Sequence, residues 1–213
     1  MKKMLQLIIP IIFLFPICGF STDYSVEGNR ETDTVYYRSD AKLEFIRGKC
    51  HDIVGNFSIN EADLSDSISG ILRVDLRTLR SGITTRDEHM RNRHLHTDKF
   101  PYAYFEFLTF KKMPESIKPD TTYTARPAGY FYIHGMKRAL VARLEFSQSI
   151  DISGNKHLSV RVLFSIKLDD YKIDRPKALL FKLAEVIELE IIFEAHQSLS
   201  KSKLKLPNWP LGK

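Results

Sequence analysis

The densest group of polar side chains in the 213-residue chain lies in residues 81–96. Asp87, Glu88 and His89 follow one another there, and a histidine oriented by a neighbouring carboxylate can act as a general base. A nucleophile would complete such a site, but the sequence marks no serine or cysteine as an activated one. Catalysis with His89 is therefore one open interpretation of this segment.

The same segment could bind a metal through its histidines, His89, His94 and His96. Zinc needs three or four well-placed ligands. His94 and His96 are two residues apart, a spacing that suits one face of a strand but not one face of a helix. We therefore predict neither a metal site nor a cofactor.

Two further interpretations of the segment involve no reaction. In the first, it is a capped helix, with Thr84 or Thr85 as the N-cap and acidic residues in its first turn. In the second, several of its side chains contact the polar head of a bound molecule: Arg86, Asp87, His89 and Arg91. Arginine suits that role because its guanidinium can donate two hydrogen bonds to a phosphate or carboxylate.

Three other segments have residue types that could be functional. Gly135 follows His134 in a sequence typical of a hairpin turn, where His134 is either a hydrogen-bonding turn residue or a ligand contact. Residues 169–176 look like a calcium loop only superficially, because the glycine and closing glutamate of that motif are missing. Cys50 is expected to be a buried or half-buried thiol without activation.

Elsewhere the apolar residues recur with a period of two, which predicts half-buried β-strands. The alternation is clearest in residues 158–168 and 187–193. The other predicted strands cover residues 34–38, 41–47, 51–59, 70–79, 102–111, 122–134 and 140–146. Glycines at positions 135 and 154 supply turns between neighbouring strands.

The number and length of these strands predict the architecture. Eight or nine strands, several near ten residues long, indicate an antiparallel sandwich or barrel. Long strands favour the barrel, which also removes exposed edges. Residues 81–100 and 169–184 are the gaps long enough for helices. We therefore predict an all-β, eight-stranded barrel with a short helical segment between strands.

The inward positions of these strands carry large apolar side chains: Phe105, Phe107, Phe131, Leu144, Phe146, Phe164 and Ile166. A barrel of about eight strands is either filled by such side chains or holds one small or elongated ligand. The pattern alone does not separate a filled core from the lining of a ligand tunnel.

Residues 1–21 are predicted to be a secretory signal peptide. Two lysines precede an apolar run that two prolines interrupt, and the run is shorter than the roughly 20 residues of a spanning helix. We expect cleavage after Ser21 and a periplasmic or secreted protein, with lipid attachment at Cys18 as the less favoured alternative. Loss of Cys18 leaves Cys50 as the only cysteine, so no intramolecular disulfide is expected.

The charge of the chain is concentrated at its ends. The net charge is +6, but two lysines belong to the signal segment and four to residues 197–213. Residues 22–196, the predicted single domain, are formally neutral, so nucleic acid is not an expected partner. The basic tail, residues 197–213, is predicted to be disordered, and its lysines suit a weak contact with an anionic membrane surface.

Several short motifs follow one another in order: Val54-Gly55-Asn56-Phe57, Gly70-Ile71-Leu72-Arg73-Val74-Asp75-Leu76, Arg86-Asp87-Glu88-His89-Met90-Arg91, Lys99-Phe100-Pro101, Phe105-Glu106-Phe107 and Ile133-His134-Gly135. Each is weak by itself. Their order and spacing, over about residues 35–195, resemble the YceI-like family of periplasmic, lipocalin-like polyisoprenoid-binding proteins.

The resemblance implies an eight-stranded antiparallel barrel whose apolar tunnel binds a long isoprenoid-like chain without catalysis. The expected partner is a hydrophobic or amphiphilic small molecule, such as an isoprenoid, a lipid or a quinone-like compound. Residues 136–140 and 167–173 depart from the family pattern, which leaves the length and head group of the ligand open.

An amphiphile in an apolar tunnel needs a few polar groups to fix its direction. The candidates are the four polar residues of segment 81–96 named above, together with His134. In the alternative, Arg86 and Asp87 pair with each other and the head group stays in water.

Two other classes of function stay open. One is an enzyme, a hydrolase or isomerase of lipid-like substrates with His89 or His134 as its base. The other is an interaction protein, which would expose an apolar patch on the barrel wall. The oligomeric state, including a homodimer, is also left open by the sequence.

Overall fold

The fold comes from a computed structural model that describes residues 21–40, 45–61, 63–64, 69–175, 184–198 and 204. These residues contain eleven β-strands: β1 (Ser21–Val26), β2 (Thr34–Asp40), β3 (Phe45–Cys50), β4 (Ile53–Asn60), β5 (Ser69–Asp75), β6 (Tyr102–Lys111), β7 (Thr122–Ile133), β8 (Met136–Val141), β9 (Arg143–Ile150), β10 (Lys156–Lys167) and β11 (Val186–Gln197). They also contain one α-helix, α1 (Thr84–His89).

Eight of the strands form a closed antiparallel barrel. The order around the ring is β1-β4-β5-β6-β7-β9-β10-β11, and β1 closes it by pairing with β11 through Tyr24–Gln197 and Ser25–His196. The predicted eight-stranded antiparallel barrel is therefore confirmed.

The β2–β3 hairpin completes the wall at one end of the barrel. β2 pairs with residues 188–192 of β11, beyond the point where β1 pairs with that strand. β3 reaches the turn after β5 through two 2.8 Å backbone hydrogen bonds between Lys49 and Arg80. Gly48 allows this approach, because a Cβ there would lie 2.3 Å from the Arg80 carbonyl oxygen. At this end of the barrel, β2 and β3 therefore complete the wall in place of β1.

The predicted alternation of apolar residues matches the residues that face the barrel interior. In β10 every second residue from Leu158 to Ile166 is buried, while the residues between them are exposed or half-buried. The five phenylalanines predicted to face inward are all buried: Phe105, Phe107, Phe131, Phe146 and Phe164. The apolar core thus lies inside the ring, as the alternation predicts.

A second, smaller cluster lies on the outer face. Ile71 and Tyr104 neighbour the inward-facing Leu72 and Phe105 in sequence, so their side chains point away from the core. They are nevertheless buried, together with Tyr132 and with Leu204 packed against them. The Leu204 backbone N–H also donates to the side-chain oxygen of Asn56 at 2.7 Å.

The short helical elements lie between strands. Leu76–Thr78 and Leu168–Tyr171 are 3-10 turns, and a π-helical turn, Met90–His94, continues α1. The prediction that Thr84 or Thr85 is the helix N-cap is wrong. The N-cap is Ile83, which makes no side-chain capping bond, and both threonines lie within the helix.

Several element boundaries differ from the prediction. β1 was not predicted, the strand proposed for residues 70–79 ends at Asp75, and β8 and β9 are separated at Ala142. β11 extends to Gln197, one residue past the predicted domain boundary. Residues 1–20 of the predicted signal peptide, which include Cys18, lie outside the described residues, as does the basic tail except Gln197, Ser198 and Leu204. The signal peptide, the lipid attachment and the disorder of the tail stay predictions. No helix within the described ranges is long and apolar enough to cross a membrane.

Candidate functional site

The barrel contains a cavity of about 770 Å³ at the end that the β2–β3 hairpin completes. Seven strands contribute apolar side chains to its wall: Val35, Tyr37, Ile46, Cys50, Val74, Ala103, Phe131, Ile133, Phe164, Ile166, Ile187, Leu189 and Ile191. The 3-10 turns add Leu76 and Leu168, and the residues just after these turns add Leu79 and Ile173. Such a wall can desolvate an apolar molecule but offers few hydrogen bonds to one.

Basic side chains and one threonine line one side of this cavity, where α1 and the π-helical turn lie. They are Thr85, Arg86, His89, Arg93 and His94. Thr85 and Arg93 are exposed, as is the neighbouring Ile83 at 52%, so the cavity reaches the surface here. An amphiphile can therefore place its chain among the strands and its head beside the two arginines.

The opposite end of the barrel is filled. In the described part of the chain, this end has a small void of about 40 Å³ bounded by apolar side chains: Phe57, Ile59, Phe107, Phe110, Met113, Leu144, Phe146, Leu158, Val160, Val162 and Phe193. The two interpretations of the interior, a filled core and a ligand-holding space, thus apply to different ends of one barrel.

Three phenylalanines lie between the cavity and the void. Phe105 is 1% exposed and sits in β6 between Ala103, which lines the cavity, and Phe107, which lines the void. The Phe105 ring centroid is 5.8 Å from that of Phe164, and the Phe131 centroid is 5.2 Å from that of Phe164. We call Phe105, Phe131 and Phe164 the phenylalanine floor.

The polar side of the cavity is held in place by Ser81. The buried Asp87 accepts hydrogen bonds from the Ser81 backbone N–H at 2.7 Å and from its hydroxyl at 2.5 Å. Arg86 donates from Nε to the Ser81 hydroxyl oxygen at 2.9 Å. Asp87 therefore anchors α1 to the preceding loop, and the same contact orients Arg86 at the cavity wall.

Three histidines connect the elements around this end. The Nδ1–H of His94 donates to the Asp174 carbonyl oxygen at 2.7 Å, and that of His134 donates to the Tyr171 carbonyl oxygen at 3.0 Å. His134 Nε2 also lies 2.8 Å from His96 Nδ1, within hydrogen-bonding distance. These bonds join the π-helical turn, the β7–β8 hairpin and the segment after β10.

His134 has the conformation of a hairpin turn residue, with φ of 53°, followed by Gly135 at 75°. Two successive positive φ angles are typical of a type I′ turn. Because both ring nitrogens of His134 have protein partners, the structure supports the hydrogen-bonding role over a direct ligand contact.

Two polar groups among the apolar wall residues are neutral. Burial raises the pKa of the Cys50 thiol to about 12, so Cys50 is not a thiolate. Burial also raises the pKa of the Tyr37 phenol, and its hydroxyl lies 3.8 Å from the Met90 sulfur. Neither group supplies an activated nucleophile at neutral pH.

The predicted site residues fall into three groups. Those on the cavity wall are Arg86, His89, Phe131, Phe164 and Ile166. Phe107 and Leu144 line the small void, and Phe105 lies in the floor. Asp87, Arg91 and His134 make structural hydrogen bonds, the Arg91 guanidinium to the Leu79 carbonyl oxygen at 3.0 Å. The ligand contacts of all these residues stay predictions.

Much of the wall was not among the predicted site residues. The β2–β3 hairpin supplies Val35, Tyr37, Ile46 and Cys50, and the segment after β10 supplies Ile173. A usable signal was the small Ala103 at an inward position two residues before Phe105, because a small residue there leaves space.

The described residues contain no group of three or more histidine, cysteine, aspartate or glutamate side chains arranged to hold a metal ion. The fold and cavity define a class of closed antiparallel barrels with an apolar ligand-sized space at one end. A family model, the YceI-like domain, matches residues 29–195, and the chain belongs to this family. No curated protein sequence matches the chain.

Solved structures share the fold. A polyisoprenoid binding domain from Saccharophagus degradans has 15% identity and a TM-score of 0.63, over 82% of this chain and 98% of that one. BcnA from Burkholderia cenocepacia has 10% identity and a TM-score of 0.60, over 78% and 98%. The Campylobacter jejuni YCEI protein has 16% identity and a TM-score of 0.61, over 75% and 89%.

Proposed function

We propose that this protein binds the apolar chain of an isoprenoid- or lipid-like amphiphile in the cavity and carries out no reaction on it. The observation that carries the proposal is the cavity itself, whose 770 Å³ falls within the roughly 300–1,000 Å³ of small-molecule sites. The Saccharophagus degradans neighbour, described as a polyisoprenoid binding domain, supports the same class of ligand.

The energetics favour an apolar chain over a polar ligand. Each CH₂ group moved from water into the cavity contributes about 0.8 kcal/mol, so a chain of ten carbons contributes roughly 8 kcal/mol toward offsetting the cost of association. A polar molecule of the same size would leave its hydrogen-bonding groups unpaired against the aliphatic wall.

The head group belongs beside α1 in this proposal. Arg86 and Arg93 contribute positive charge at the exposed side of the cavity, and arginine pairs well with carboxylate and phosphate oxygens. We therefore propose an anionic head group. With the signal peptide predicted for residues 1–21, we place this binding in the periplasm or outside the cell.

The test fills the part of the cavity next to Ala103, a small residue of its wall. Replacing Ala103 with Phe would fill the cavity from its wall, and filling an existing space is compatible with folding. Wild-type protein, extracted with organic solvent and examined by mass spectrometry, should release about one lipid-like molecule per chain. Ala103→Phe should release almost none while its circular dichroism spectrum and melting temperature stay close to wild type.

Val141→Phe is the matched control, because Val141 is 62% exposed on the outside of the barrel. This variant should keep its lipid. The proposal fails if wild-type and Ala103→Phe proteins carry equal amounts of lipid, or if the folded wild type neither carries nor takes up any amphiphile.

A further inference from the structure

The phenylalanine floor divides the barrel, and from this we infer that the protein selects its ligand by chain length. The inference rests on the proposed function: the cavity has a closed end, so a bound chain cannot pass through the barrel. The preferred ligand is then a single-chain amphiphile short enough to end at the floor, in contrast to long polyprenyl carriers.

The registers of the strands place the floor as one layer. Leu72 pairs with Phe105 and Phe105 pairs with Phe131 across β5, β6 and β7. One layer toward the cavity, Val74 pairs with Ala103. One layer in the other direction, Phe107 lies between Gly70 and Gly129. The inward residues of β6 thus change from small to large at the layer where the cavity ends.

The side chains of this layer are buried and packed against one another. Leu72 and Phe105 are each 1% exposed, and the Phe105 ring makes an edge contact with Phe107 at 4.6 Å between centroids. Beyond this layer, the described residues bound a small void of about 40 Å³. A chain of several more carbons therefore has no space to extend into.

The volume of the cavity limits the number of carbon atoms that a bound chain can place inside it. If a CH₂ group is taken as about the size of a water molecule, on the order of 30 Å³, then 770 Å³ holds on the order of 25 carbons. Chains of farnesyl, geranylgeranyl or fatty-acyl length fit within this limit, and polyprenyl chains of eight or more units exceed it.

A homologous series of straight-chain alkyl phosphates, from about 10 to 30 carbons and delivered from cyclodextrin, tests the inference by equilibrium titration of delipidated protein. Affinity should rise about fourfold for each added CH₂, equivalent to about 0.8 kcal/mol. Above a limiting length it should level off or fall, because further carbons stay in water. We call this change in the dependence of affinity on chain length the break. A break is expected if the phenylalanine floor stops the bound chain.

Two variants should move the break in opposite directions. Phe105→Leu removes part of the floor without the large truncation of an alanine and should shift the break to longer chains. Ile191→Phe adds volume from the cavity wall and should shift it to shorter chains. Phe146→Leu is the control, because Phe146 lines only the void and its truncation should leave the break in place.

The possible failures are distinguishable. If affinity rises without a break up to the longest chain, or if neither Phe105→Leu nor Ile191→Phe moves the break, chain-length selection is contradicted while lipid binding stands. If no alkyl phosphate of any length binds, both the selection and the proposed function are contradicted.

Discussion

At the scale of single residues, the adjacent Arg86 and Asp87 have different roles. Asp87 is 3% exposed and accepts two hydrogen bonds from Ser81, so its carboxylate is a structural group. Arg86 also contacts Ser81 yet lines the cavity. Successive side chains on a helix point about 100° apart, which is why adjacent residues face the loop and the cavity.

Arg86 should contribute to affinity only when the ligand has an anionic head. We expect Arg86→Gln to weaken binding of dodecyl phosphate about tenfold or more, because a hydrogen bond to a charged group contributes about 1.5–3 kcal/mol. Binding of dodecanol should change much less. Both affinities can be measured by titration calorimetry on delipidated protein.

Arg91→Gln serves as the comparison, since Arg91 lies outside the cavity wall and donates to the Leu79 carbonyl oxygen. It should affect both ligands equally. Equal losses for the phosphate and the alcohol in Arg86→Gln would mean that Arg86 only supports the loop, and the head-group assignment would be wrong.

The sequence predicted which segment is polar but not which of its residues reach the cavity. Arg86, His89 and Arg93 line it, whereas Arg91 does not. This choice depends on the Ser81–Asp87 contact and on the change from α1 to a π-helical turn at Met90. Neither feature has a pattern in the sequence, because both arise from how the segment packs on the barrel.

At the scale of elements, α1 is short and depends on its anchor. Six residues are too few for a stable isolated helix, and its N-cap Ile83 contributes no side-chain bond. The Asp87–Ser81 contact and the hydrogen bond from His94, in the π-helical turn that continues α1, to the Asp174 carbonyl oxygen therefore supply tertiary contacts that position the polar side of the cavity.

Asp87→Ala should loosen this element. The Ser81 N–H and hydroxyl would lose their acceptor, and leaving such groups unpaired costs about 1–3 kcal/mol. We expect faster amide exchange in residues 81–96, measured by hydrogen–deuterium exchange, with protection of the barrel strands retained.

Glu88→Ala is the matched variant, because Glu88 is the adjacent acidic residue and is exposed. Its exchange should resemble wild type, within the small effects usual for surface substitutions. If both variants loosen the segment equally, the loss of helical acidity and not the Ser81 contact would be responsible.

The strands were predictable where alternation is long and uninterrupted, as in β10 and β11. β1 was missed because only Tyr24 and Val26 are apolar among its six residues, and its pairing with β4 and β11 is not local. The break between β8 and β9 was missed because Ala142 continues the apolar alternation on both sides. Its N–H instead donates to the Pro127 carbonyl oxygen.

At the scale of the whole molecule, one barrel combines a filled core with a ligand-sized cavity. Apolar residues alternate in the same way at both ends of the barrel. The sequence pattern therefore could not show which end is filled and which holds the cavity. The difference comes from side-chain size at inward positions and from the β2–β3 hairpin, which replaces β1 in the wall at the cavity end. The packed end and the phenylalanine floor provide rigidity for the cavity.

The central claim is that an apolar chain lies in this cavity with its tail toward the floor. The most direct test is a crystal structure of the complex with an alkyl phosphate whose chain has the limiting length found in the titration series and carries bromine on its terminal carbon, located by anomalous scattering. We expect one bromine peak inside the barrel, in van der Waals contact with Phe131 and Phe164. A bromine peak on the outer surface or beside Arg93, or none at saturating ligand, would contradict it.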